Sequence, residues 1–209
     1  MKLFLARHAE CEKNLIGIPG GSGAALTQVG RNQAQVLARE VGLLGLRPAL
    51  IVACPTIQTI ETAQIVSDEI QVPVVESADL RSIHLGVLAG LPISQARLLH
   101  PASSFSMDEW RAGTIELCDL QVEDMEDPVS FYCRGVKYVL DYIQRQETEL
   151  IIATTSILIL MQNLNEMKGA SPGEGYRTRD YGNGRLVELE FSSSKIDWLK
   201  AQAKKHAIV

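Results

Sequence analysis

Short apolar runs alternate with amphipathic helical stretches along most of this chain, and that alternation restricts the fold more than any single residue does. Residues 2–6, 49–53 and 150–153 read as brief buried strands, too short to be helices and too uniformly apolar to have a wet face, and residues 72–75 read as a further brief strand. Between them lie helical patterns. Thr27 caps one, carrying Val29, Leu37 and Val41 and stopped by Gly42, Gly45 and Pro48; Thr56 opens another that runs to about Ile70. Residues 129–146 place Val136, Val139, Leu140 and Ile143 at helical spacing, and a further helix follows the strand at 150–153. Strand–helix alternation of this kind predicts an α/β fold of three layers, a mainly parallel sheet with helices on both faces. Residues 186–191 alternate apolar and charged side chains as an edge strand does, and residues 196–207 read as a basic amphipathic helix packed on the domain. Residues 15–25 and 169–184 are glycine-rich and read as loops.

A length of 209 residues fits one domain over 1–209, with an irregular insertion at about 91–128. The net charge of −5 gives no general attraction for nucleic acid or anionic lipid. The longest strongly apolar run, residues 150–161, is broken by Thr154, Thr155 and Ser156 and falls short of the ~20 residues a membrane span needs. The N-terminal apolar stretch is too short for a secretory signal. Cys11, Cys54, Cys118 and Cys133 form no CxxC pair and no metal-type spacing with histidine. Together these features predict a soluble cytoplasmic protein with no metal and no cofactor. A protein partner or a second copy of the chain stays open as a partner, and neither nucleic acid nor membrane is expected.

In a parallel sheet ligands bind at the carboxyl ends of strands. The positions to inspect are therefore Arg7-His8, Cys54 and Thr154-Thr155. Arginine offers phosphate oxygens a planar fork of donors, and a neutral imidazole beside it can attack phosphorus. The run Leu5-Ala6-Arg7-His8-Ala9-Glu10-Cys11-Glu12-Lys13-Asn14 resembles the Arg-His-Gly-x-Thr-x-x-Asn signature of the histidine phosphatase superfamily, the phosphoglycerate mutase-like family. Leu26-Thr27, Gly30 and Gln33-Ala34 are similar to the family's next helix start. Cys54-Pro55 through Thr62-Ala63 resembles its Ser-Pro-Leu-x-Arg-Ala-x-x-Thr-Ala segment, and residues 151–156 resemble its strand ending Ser/Thr-His-Gly. The likeness runs in order over nearly the whole chain.

That resemblance implies that His8 is a phosphorylated nucleophile, Arg7 a phosphate ligand and Asn14 a further polar contact. It implies losses too. Gln58 stands where the family has a second phosphate arginine, Ser82 where it has the acid that protonates the leaving group, and Thr155 where it has a second histidine. Removing a general acid lowers rates by about 10² to 10⁴, and removing one preorganised donor by about 10² to 10³. The expectation is a family member with impaired catalysis that keeps a remnant phosphate- or small-ligand pocket. The alternative is a phosphomonoesterase or phosphoryl-transfer enzyme working through a phosphohistidine at His8 with a non-standard proton donor, and whether the chain is an enzyme stays open between them. Glu10, Arg81 and His84 are the accessory groups near enough in sequence to compensate, each with a plainer reading as a surface or packing residue. Cys11 and Cys54 carry a similar pair of readings, reactive thiol or inert small residue. The insertion would act as a lid. Its Phe105, Met107, Trp110 and Leu117 sit among acidic residues with few basic groups, which suits a modestly charged ligand.

Overall fold

The computed structural model describes residues 1–208. Five strands, β1 (Lys2–Arg7), β2 (Leu50–Ala53), β3 (Val74–Glu76), β4 (Glu149–Ala153) and β5 (Leu186–Glu190), form one sheet in the order β3-β2-β4-β1-β5. The first four are mutually parallel, and β5 runs antiparallel along β1 at the edge. Alternate side chains of each buried strand face opposite ways, and the core divides accordingly. Leu3, Leu5, Val52, Ile151 and Ala153 belong to one apolar cluster; Phe4, Ala6, Ile51, Ala53, Leu150 and Ile152 belong to the other. Helices α2 (Gln28–Leu43) and α3 (Ile57–Ile70) cover the second face. Helices α6 (Pro128–Arg145), α7 (Thr155–Asn165) and α8 (Ser193–Lys205) cover the first. The three-layer, mainly parallel α/β fold expected from the alternation is the one observed.

Register sets what meets at the site. Arg7 pairs with Ala153, and Ala53 with Ile152, so β1, β2 and β4 end side by side. The ladder continues one step past the strands: the His8 amide donates to the Ala153 carbonyl at 2.9 Å, and the Cys54 amide to Ile152 at 3.1 Å. Within the insertion, α4 (Ile93–Leu99) and α5 (Pro101–Ala112) are well-formed helices where the sequence suggests only scattered pieces. A short helix α1 (Glu12–Ile16) also lies just before the stretch read as loop. Its single turn is too brief for any apolar period to reveal.

Helix α2 begins against the segment that carries the nucleophile. Thr27 accepts the Gly30 amide at 3.0 Å, and the Thr27 amide donates to the Glu10 carbonyl at 3.1 Å. Gly30 lies so close to Glu10 that an added Cβ would fall 1.9 Å from its carbonyl oxygen, whereas one at Gly42 in the same helix meets nothing within 4 Å. Gly30→Ala therefore destabilises the protein by about 1–3 kcal/mol, the ordinary cost of overpacking, if not more. Gly42→Ala stabilises it by about 0.4–1 kcal/mol by reducing unfolded-state freedom. Denaturant melts of the two variants check the opposite signs.

Candidate functional site

His8 is almost wholly buried, with 4% of its surface exposed. Its Nδ1 lies 2.8 Å from the Ala9 carbonyl oxygen. A carbonyl can only accept, so Nδ1 carries the proton and Nε2 keeps its lone pair. Burial, aided by the adjacent Arg7 charge and opposed by the Ala9 hydrogen bond, pulls the imidazole pKa down to about 4. At neutral pH the ring is uncharged, as a nucleophile requires.

A strap from the loop before β5 holds this corner. The Gly184 amide donates to the Arg7 carbonyl at 3.1 Å, and Asn183 Nδ2 donates to the His8 carbonyl at 3.1 Å and to Asn14 Oδ1 at 3.2 Å. The Arg7 guanidinium donates through Nη1 to the Tyr181 carbonyl. Its Nε is buried without a hydrogen-bond partner. A charged donor left unpaired next to the imidazole is the kind of group an anion satisfies. Burial lowers the pKa of Arg7, with nearby Asp180 opposing. Asn14 Oδ1 also takes the Cys11 amide at 3.0 Å, so the amide nitrogen is what Asn14 can offer a ligand.

Gln58, Ser82 and Thr155 all line the same cavity as Arg7, His8 and Asn14. Each is tied to protein atoms nearby or set by a helix end. Gln58 Oε1 accepts the Ala24 amide at 3.2 Å, which pins the side chain to the glycine loop. The Ser82 hydroxyl donates to Thr154 Oγ1 at 2.7 Å, and Thr154 Oγ1 lies 3.3 Å from Ser156 Oγ. Thr155 opens α7. The result is a row of neutral hydroxyls across the ends of β1 and β4.

The three accessory candidates lie outside this cavity, and the reason is the same for each: another partner holds it. Glu10 accepts the Thr27 hydroxyl at 2.7 Å. Arg81 pairs with Glu126 at 3.2 Å on the surface. His84 is exposed and accepts the Gly86 amide at 3.1 Å through Nδ1. Glu126 also takes Arg134 at 2.8 Å, so these contacts anchor the 79–84 segment instead of serving the site. Cys54 is fully buried and does not line the cavity, and burial pushes its thiol up to about 12. Cys11 does line it, with Sγ 3.4 Å from Asn14 Oδ1.

The cavity has a volume of about 490 Å³. Two cations that line it, Lys13 and Arg111, have no role assigned from the sequence. Lys13 sits inside the motif run, on α1, and bonds the Gly20 carbonyl; partial burial lowers its pKa. Arg111 comes from α5, so the insertion does contribute a cation, one that also lies 3.5 Å from Asp108. Met107, Trp110 and Leu117 of the insertion line the cavity as well, whereas Phe105 is 66% exposed. Among the described residues that line it, none is Asp or Glu. Among the described residues no cluster of three or more metal-type ligands occurs, and no helix is long and apolar enough to cross a membrane.

A mainly parallel sheet thus presents an Arg-His corner to a cavity that Lys13 and Arg111 also line. The chain belongs to the histidine phosphatase superfamily, branch 1, whose sequence model matches residues 3–203. Its curated relatives include the protein named "Probable phosphoglycerate mutase GpmB" of Yersinia enterocolitica, 35% identical over 94 residues, which is 44% of this chain and 43% of that protein. The Serratia proteamaculans protein of the same name is 33% identical over 89 residues, 42% of this chain and 40% of that one. The matched stretch thus spans less than half the length of these relatives. Similar solved structures include mycobacterial glucosyl-3-phosphoglycerate phosphatase complexed with VO3, at TM-score 0.76 and 19% identity over 93% of both chains. Bacillus stearothermophilus YhfR superposes at TM-score 0.76 with 22% identity over 92% of both. At such identities the likeness establishes the fold.

The buried tautomer can be tested directly. In nitrogen-15 NMR, His8 shows a protonated Nδ1 and an unprotonated Nε2 at pH 7 and titrates near pH 4, well below the ordinary 6.5; titration at 6.5 would contradict the burial argument. Because the folded pKa lies below the unfolded one, the unfolded chain binds the proton more tightly between those values. His8 therefore contributes stability above pH 6.5 that is lost as pH falls toward 4.

Proposed function

We propose that this protein binds a phosphate-bearing small molecule at Arg7 and His8, with its capacity to hydrolyse phosphomonoesters strongly impaired. The observation that carries this reading is the cavity's lack of any carboxyl group. A neutral imidazole can attack phosphorus unaided, but an alkoxide leaving group needs a proton. The residue at the acid's position, Ser82, has a hydroxyl already donating to Thr154. A serine hydroxyl is a far weaker acid than a carboxylic acid and gives little drive for that transfer.

Charge balance points the same way. A phosphate dianion here has Arg7, with Lys13 and Arg111 further along the wall, while Gln58 and Thr155 supply only neutral hydrogen bonds. Such a set holds an anion but neutralises less of the charge that develops during transfer. These losses act on one assembly, so they need not multiply.

One observation favours the second reading, an active phosphoryl-transfer enzyme. The His8 tautomer, with Nδ1 on the Ala9 carbonyl, leaves Nε2 ready to take a phosphoryl group. The hydroxyl row from Ser82 to Ser156 would then be the non-standard proton source.

Incubation with an alkyl phosphate, whose alkoxide leaving group needs that proton, beside a His8→Ala control, separates the two. The impaired reading predicts equal and negligible rates; turnover that vanishes with His8→Ala would sink it. Restoring the family residues in the triple variant Gln58→Arg, Ser82→Glu, Thr155→His should raise alkyl phosphate turnover by at least about 10², the lower effect of a single such group.

A further inference from the structure

We infer that the insertion-side wall of the cavity is a binding site for an apolar chain or ring, so that the ligand is a hydrophobic phosphomonoester and not a sugar phosphate. The inference rests on the phosphate reading above for the ligand's other end. The polar lining gathers at the strand ends and the start of α7. The facing wall is built from Ile83, Met107, Trp110, Leu120, Phe131 and Tyr176, which front the cavity while each is no more than 8% exposed.

These side chains come from separate parts of the chain and are fixed in place. Trp110 stacks on Tyr176 with ring centroids 6.0 Å apart, and Tyr132 meets Tyr176 edge-on at 6.4 Å. The Leu117 amide donates to the Tyr176 carbonyl at 3.1 Å. Ser106 and Ser103 accept the Gln121 and Glu123 amides at 2.9 and 3.1 Å, closing the insertion on itself. The wall is therefore preformed and mainly apolar, with Arg111 as its charged side chain. A sugar set against it would leave hydroxyls without partners, at about 1–3 kcal/mol each, whereas an alkyl or aryl group gains by leaving water. A volume of about 490 Å³ is ample for a phosphate head and such a tail.

Calorimetric titration of the full chain with methyl, butyl and hexyl phosphate tests the assignment, with glycerol phosphate and hexanol as comparison arms. A buried methylene strengthens binding by roughly fourfold. Hexyl phosphate is accordingly expected to bind at least about a hundredfold tighter than methyl phosphate, with glycerol phosphate no tighter than the methyl ester. Leu120→Asn should flatten the series, though the series on the unaltered protein decides the matter alone. A flat series, with methyl phosphate binding still lost in Arg7→Ala, would overturn the apolar site and leave the phosphate reading standing. Hexanol binding as tightly as hexyl phosphate, with no effect of Arg7→Ala, would uphold the apolar site and sink the phosphate reading. Binding by none of the probes would overturn both.

Discussion

Parallel pairing of β1 with β4 is the constraint on which the rest of the site depends. With Arg7 opposite Ala153, the next residue on one side is His8 and on the other Thr154, joined through the His8 amide and the Ala153 carbonyl. A slip of one residue would turn His8 into the opposite core layer and bring a different pair to the strand ends. The flanking contacts reinforce that register. Gly184 and Asn183 bind the Arg7 and His8 carbonyls from β5's side, and the bare Gly30 lets α2 rest on Glu10.

From that placement the chemistry follows in two parts. Burial keeps the imidazole neutral, and the Ala9 carbonyl chooses its tautomer, so Nε2 keeps its lone pair. Around it the side chains at the expected partner positions are neutral amides and hydroxyls, several already engaged with protein atoms. That combination supports the proposed reading of a pocket that holds an anion and expels an alkoxide poorly. Lys13 and Arg111 extend its positive lining without supplying a proton relay.

Much of this was legible in the sequence because it depends on local pattern. Buried strands show as short apolar runs, and Thr27 and Thr56 mark helix starts through their caps. The Arg-His corner and its altered partners sit at spacings that a motif preserves. What the sequence could not show depends on side-chain direction. Glu10, Arg81 and His84 lie close to the site along the chain, yet Thr27, Glu126 and Gly86 capture them outside it. Lys13 was visible inside the motif, but only the fold of the short helix α1 brings it to the cavity. Met107 and Trp110 belong to the insertion read as a lid, but Arg111, Phe131 and Tyr176 had no signature, because they meet only through long-range packing. Likewise, the register of an insertion cannot be read from its composition.

Phosphorus-31 NMR of butyl phosphate mixed with excess protein tests the central claim most directly, because it reports binding and cleavage in one sample. An anion-binding site without a working acid predicts a shifted, persistent resonance of the intact ester that is lost in Arg7→Ala. Stoichiometric conversion to inorganic phosphate, dependent on His8, would contradict it.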